Sequence, residues 1–293
     1  MDRFVKQNLS VCIYIVFVLC VLVSCSSESN QSTLEEPQKY LSLNPAITET
    51  IFYLEGQEQL LGRSDYCKTP EEADKLPSFG TALTPNYEAI ARVHPKSIFT
   101  DVSSGTQLDS LEQLAPVIQL PWLSIDDIQG SVIKLGELLD KKEQASALAA
   151  EIQNTFLPAL EAESLSLLML MEGSDIQKGQ LWFMKKGSLH GAAIEAAGFR
   201  NGAPDLLNGP PSMSLEQLIK QDPDMIVFLA SKSIASDTKE QLSRSLDIMP
   251  MLKAVQKKRV GVIDGENLMG VGPSAIHLVE KIRSEGKRLL GTE

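Results

Sequence analysis

The chain has 293 residues, a formal net charge of −11, and 43% hydrophobic side chains of which few are aromatic. An acidic balance of that size argues against binding nucleic acid or anionic lipid heads by charge. The hydrophobic fraction suits one large domain or two lobes of about 100–130 residues each.

The N-terminus reads as a targeting segment. Arg3 and Lys6 precede an apolar run from Val11 to Val23, and a polar stretch follows Cys25. About 13 apolar residues fall short of the roughly 20 that cross a bilayer, so residues 1–24 are expected to be a secretory signal peptide. Leu22-Val23-Ser24-Cys25 resembles the bacterial lipobox, which implies cleavage before Cys25 and lipidation of its thiol. The alternative is an uncleaved anchor with an incidental cysteine. Residues 25–39 are then a flexible tether, and the expected location is the cell envelope, lipid-anchored and facing the periplasm or cell exterior. Removing residues 1–24, which hold Arg3, Lys6 and Asp2, takes the net charge from −11 to −12. With Cys12 and Cys20 lost and Cys25 acylated, Cys67 would be the last free thiol, leaving no intramolecular disulfide.

Beyond the tether, Tyr40-Leu41-Ser42-Leu43 predicts a strand that stops at Asn44-Pro45, and Thr48 to Leu54 predicts a helix ended by Gly56. Leu60 to Arg63 reads as a second strand leading into the loop Ser64 to Pro70. Asn86 is placed to cap a helix through Arg92, and Pro95 precedes a strand at Ser97 to Thr100. Alternating short strands and helices predict βα units around mainly parallel sheets.

The pattern recurs. Asn86 to Phe99 aligns with Ser214 to Val227 at an offset of 128, matching a Glu, a central apolar pair, a Pro and an apolar strand. Upstream, strands at Leu41–Leu43 and Leu167–Leu170 each feed a helix ending at Gly56 or Gly198. A duplicated plan with two lobes is the simplest account. Between the copies, Ile128 to about Phe156 has few helix breakers and apolar residues at helical spacing, including Val132, Leu135, Leu148 and Ile152. Within it a second segment, from Lys141 to Phe156, would run about 24 Å as a helix, and Pro158 would strain or end it. The expected fold is therefore α/β, with two Rossmann-like lobes joined by a single long α-helix. The boundaries fall at 40–127 for the first lobe, 128–163 for the linking helices and 164–293 for the second lobe.

These residues are similar to the helical-backbone (class III) substrate-binding proteins of ABC importers, the Fe/B12 periplasmic-binding family. The likeness is carried by Leu41-Ser42-Leu43-Asn44-Pro45-Ala46-Ile47-Thr48-Glu49, by Leu60 to Pro70, by Lys75-Leu76-Pro77, by the two Glu-to-Pro segments and by Ala254 to Val260. It runs from about Tyr40 to Ile282. One departure stands out. Where the family often has Gly-Pro-Arg, this chain has Gly272-Pro273-Ser274.

The resemblance implies a carrier, not an enzyme, with no catalytic residues, no resident metal and no cofactor. It implies a monomer that works with an ABC permease and its ATPase, touches the membrane through its lipid, and carries a metal chelate containing cobalt or iron. Glu88 and Glu216 match the carboxylates that dock on the permease. The reading of each as a first-turn acid on a helix stays open beside that role. Ligand contacts are expected from Tyr66, Cys67 and Asp101 in the first lobe and from Trp182, Leu268 and Met269 in the second, with ordinary packing as the alternative for each. Tyr66, together with the absence of clustered Arg or Lys, favours a cobalamin-like corrinoid over a ferric siderophore or haem. The sequence contains no phosphate-binding loop and no nucleophile elbow, and His94, His190 and His277 lack metal-type spacing. An envelope α/β hydrolase and a surface lipoprotein that has lost ligand capture are the other readings.

Overall fold

The computed structural model describes residues 39–101, 108–159, 161, 164–205 and 209–292. The expected signal peptide, Cys25 and nearly all of the tether lie outside these residues.

The first lobe is a four-stranded parallel sheet of β1 (Tyr40–Ser42), β2 (Leu60–Arg63), β3 (Ser97–Asp101) and β4 (Val117–Leu120), ordered β2-β1-β3-β4. The second lobe is built on β5 (Ser166–Met171), β7 (Arg200–Asn201), β9 (Met225–Leu229) and β10 (Val260–Ile263), ordered β7-β5-β9-β10 and again parallel. Taken in chain order, each lobe has the pattern second-first-third-fourth. The duplication read from the sequence is thus a duplication of topology. The second lobe adds a short antiparallel ribbon of β6 (Leu181–Trp182) and β8 (Ser212–Met213), which the sequence did not suggest.

The helices follow the same plan. α1 (Pro45–Tyr53) starts earlier than expected, because Asn44 accepts the Ile47 N–H at 3.1 Å and Pro45 fits the first helical position. α2 (Tyr87–Val93) and α7 (Leu215–Gln221) are seven residues each and 128 positions apart. Asn86 caps the first through the Ala89 N–H, and Ser214 with Gln217 forms a capping box on the second. The remaining helices are α3 (Leu108–Glu112), α6 (Leu189–Ala196), α8 (Ser236–Arg244), α9 (Lys253–Gln256) and α10 (Ile276–Leu290).

The linking helices form a hairpin of α4 (Ile125–Leu138) and α5 (Lys142–Thr155), 14 residues each, and α5 occupies the segment expected from Lys141 to Phe156. The break falls at Asp140, whose φ of 56° no right-handed helix accommodates. The two helices run antiparallel: the Gln129 side-chain amide donates to the Ala149 carbonyl at 3.0 Å, and the Lys141 N–H to the Gly136 carbonyl at 2.7 Å. A Cβ on Gly136 would stand 2.2 Å from that of Ala145, so only glycine permits this approach. α5 leads on to the second lobe and is about 21 Å long.

One hydrophobic cluster joins the whole. It holds Tyr40, Ile47 and Phe99 from the first lobe, Val132 and Leu148 from the hairpin, and Leu167, Val227 and Ile282 from the second. Smaller cores under the outer faces of the sheets, around Ile98 and Phe228, complete each lobe.

Candidate ligand cleft and docking surface

In parallel sheets all strands end on one side, and the loops leaving those ends are where α/β folds hold small molecules. Most of the expected ligand residues lie at or just after strand ends. Tyr66 and Cys67 follow β2, Asp101 closes β3, Trp182 lies on the ribbon reached from β5, and Leu268 and Met269 follow β10.

The structure treats them differently. Tyr66 is 72% exposed, an aromatic ring held in solvent at the tip of its loop. Cys67 is fully buried, with its Sγ 3.1 Å from the Ser64 hydroxyl, and so serves its own loop. That loop is organised from below by the buried guanidinium of Arg63, which donates to the carbonyls of Ser64 and Asp74 and to the Asp74 carboxylate. Asp101 accepts a 2.9 Å hydrogen bond from the Asn44 side chain, tying the end of β3 to the start of α1. Trp182 is half-buried and its backbone is pinned on both sides by the Ser174 hydroxyl.

Leu268 is buried and Met269 packs against the shared core. The Leu268 carbonyl lies 3.0 Å from His190 Nε2. Burial pushes the His190 imidazole below its ordinary pKa, partly countered by that carbonyl, so the ring is neutral at pH 7 with its proton on Nε2. In the second lobe the Glu172 carboxylate accepts from Ser231, joining the ends of β5 and β9, and Asp264 pairs with Lys239 at 2.7 Å after β10. Burial works to raise the Asp264 pKa, but Lys239 and the Ile234 N–H outweigh it and hold the carboxyl low. A groove of about 900 Å³ opens beside these ends, between residues 172–177 and α8, and its apolar floor includes Ile176, Ile234 and Leu242.

Three hydrogen bonds carry one segment of the second lobe onto the first. Thr69 donates to the Asn267 side chain at 2.5 Å, Trp122 Nε1 donates to the Val271 carbonyl at 2.6 Å, and the Ser274 N–H donates to the Glu49 carboxylate at 2.8 Å. Neither Trp122 nor Glu49 was among the site residues expected from the sequence. Their partners lie 149 and 225 positions away, beyond the reach of any local pattern.

Glu88 and Glu216 sit at the second position of α2 and α7, exposed on equivalent helices. Glu88 forms an i,i+4 ion pair with Arg92 at 2.6 Å, in which both side chains stand in solvent. Such a pair contributes only about 0.3–0.5 kcal/mol and leaves the carboxylate available to a better partner.

The chain matches the family described as periplasmic binding protein over residues 41–266. It is 28% identical to YhfQ of Bacillus subtilis, described as an ABC transporter substrate-binding lipoprotein, over 66% of this chain and 64% of that one. It is 26% identical to the vitamin B12-binding protein of Pectobacterium atrosepticum, over 66% of this chain and 71% of that one. The crystal structure of the vitamin B12-binding protein BtuF of Vibrio cholerae shares the fold, with a TM-score of 0.69 at 18% identity, covering 86% of this chain and 98% of that one. With paired parallel sheets, a helical linker and a match over most of its length, this chain belongs to the periplasmic binding protein family.

Proposed function

We propose that the protein is the lipid-anchored substrate-binding component of an ABC importer. It captures a metal chelate between its lobes, a cobalamin-like corrinoid before a haem or ferric siderophore, and hands it to the permease. The observation that carries the reading is the pair Glu88 and Glu216, two exposed carboxylates at matching positions of matching helices, one on each lobe. A two-point acidic register on one body sets both affinity and orientation toward a basic partner. Tyr66 supports the choice of cargo, because an exposed ring at a strand-end loop offers a flat amphipathic face to a macrocycle. The relatives named as vitamin B12-binding proteins point the same way.

Titration calorimetry against cobalamin, cobinamide, haem and a ferric siderophore tests the cargo. Binding of a corrinoid is expected; binding of haem alone would move the assignment to haem, and silence from all four would remove the carrier reading. Uptake assays with Glu88→Lys and Glu216→Lys together test docking. Transport should fall sharply while binding in solution stays intact, and unimpaired uptake would discard the docking role.

A further inference from the structure

The contact between Glu49 and Ser274 is unlike the other two bonds across the junction, because it buries an ionisable group. Glu49 lies on α1 of the first lobe and is 4% exposed. Its carboxylate accepts the backbone N–H of Ser274, in the 3-10 turn Pro273–Ala275 that runs straight into α10 of the second lobe. Neither Gly272 nor Ala275, at the heads of that turn and of α10, supplies a side-chain cap. The free N–H groups of a helix start favour an anion, and here the other lobe provides it.

The fit is close. A Cβ on Gly272 would stand 2.0 Å from a Glu49 oxygen. The Ser274 hydroxyl is buried nearby without reaching hydrogen-bond geometry, and has no partner among the described residues. The position where the family often carries a cationic Arg therefore holds a neutral side chain, and one backbone N–H answers a buried carboxylate.

We propose that Glu49 and Ser274 form a clasp between the lobes that takes up a proton, tightening the junction in mild acid and loosening it as pH rises. The physical basis is desolvation. Burial raises the Glu49 pKa above the ordinary 4.5, and neither the Ser274 N–H, nor the hydroxyl beside it, nor the charge of His277 undoes it. When the junction opens, water reaches the carboxyl and its pKa returns toward that ordinary value. The closed form thus binds the proton more tightly, and opening becomes easier wherever Glu49 must ionise. The ionisable groups around it are His277 at the start of α10, Tyr53 one turn along α1 and, beyond Tyr53, Glu151 of α5. The charge of His277 favours the carboxylate and so works against the effect of burial. Tyr53 is neutral throughout the range, since burial and the two carboxylates push its pKa up.

Backbone hydrogen exchange of the Ser274 amide in the full chain, corrected for intrinsic rates, tests the clasp without reference to cargo. In the wild-type protein the opening equilibrium should rise with pH above 4.5, by at most about tenfold per pH unit for one proton, and then level off. Glu49→Gln should remove the slope. Its carbonyl can still accept the Ser274 N–H, and its amide can donate to the Ser274 hydroxyl. His277→Gln should keep the slope. A flat or inverted wild-type profile, a slope that survives Glu49→Gln, or one that vanishes in His277→Gln would overturn the proposal. Carbon-13 titration of the Glu49 carboxyl in the wild-type chain gives a reading that needs no stable variant. A midpoint above 4.5 supports the clasp, and one at or below it ends the case.

Discussion

His94 and Asp222 close their helices with nearly the same left-handed backbone, at φ 44°, ψ 62° and φ 40°, ψ 59°, although 128 positions separate them. The two positions share a conformation and differ in side chain. Both residues pay the steric penalty that a Cβ incurs there, about 1–2 kcal/mol, and what each gains in return differs.

His94 is exposed and shows no side-chain hydrogen bond among the described residues, whereas Asp222 accepts the Lys253 N–H at 2.9 Å and pairs with its ammonium at 3.3 Å. His94→Gly should therefore raise stability by roughly 0.5–1 kcal/mol. Asp222→Gly loses a bond worth about 1 kcal/mol and should gain nothing or fall. Urea unfolding of the two variants side by side checks the contrast.

Gly272→Ala should destabilise by about 1–3 kcal/mol, because its Cβ would collide with the Glu49 carboxylate while the backbone at φ −77° accepts any residue. The same change made in a Glu49→Ala background should cost much less. A double-mutant cycle on unfolding free energies measures that coupling, and additive costs would place the damage elsewhere.

His190 gives a pH dependence of defined sign. Its folded pKa lies below 6.5, so the unfolded chain binds the proton more readily and stability is lost as pH falls through and below that value. Glu49 works the other way, losing stability as pH rises above 4.5. Comparing wild type with His190→Asn by chemical unfolding at pH 7.5 and at pH 5.5 isolates the histidine. The variant should lose less stability on acidification than the wild-type protein.

Trp122→Phe keeps most of the buried ring and deletes the donor to the Val271 carbonyl. A loss of about 1 kcal/mol is expected. In a chain of this size that lowers Tm by roughly 2–4 °C. Exchange at residues 267–275 should quicken more than at β1 or β5.

Much of the plan could be read from the residues because its signals are local. Asn86, Ser214 with Gln217, and the proline after each helix fix where α2 and α7 start and stop, and the apolar strands follow directly. The second linking segment, from Lys141, was legible too, whereas the positive φ of Asp140 before it was not, because Asp140 is no helix breaker by type. The site was less legible. Burial is the ordinary expectation for a lone thiol such as Cys67, but the Arg63 scaffold beneath its loop was not legible, and the bonds made by Glu49 and Trp122 join residues far apart in the chain. Patterns of spacing report on neighbours along a helix or strand and carry no information about such partners.

The continuous core from Tyr40 to Ile282 has a thermodynamic corollary. Because the α4–α5 hairpin contributes side chains to the interior that both sheets share, neither half retains a complete interior once the other melts. Calorimetry should record a single endotherm for residues 39–292, and chain fragments divided at the hairpin should fold only when mixed.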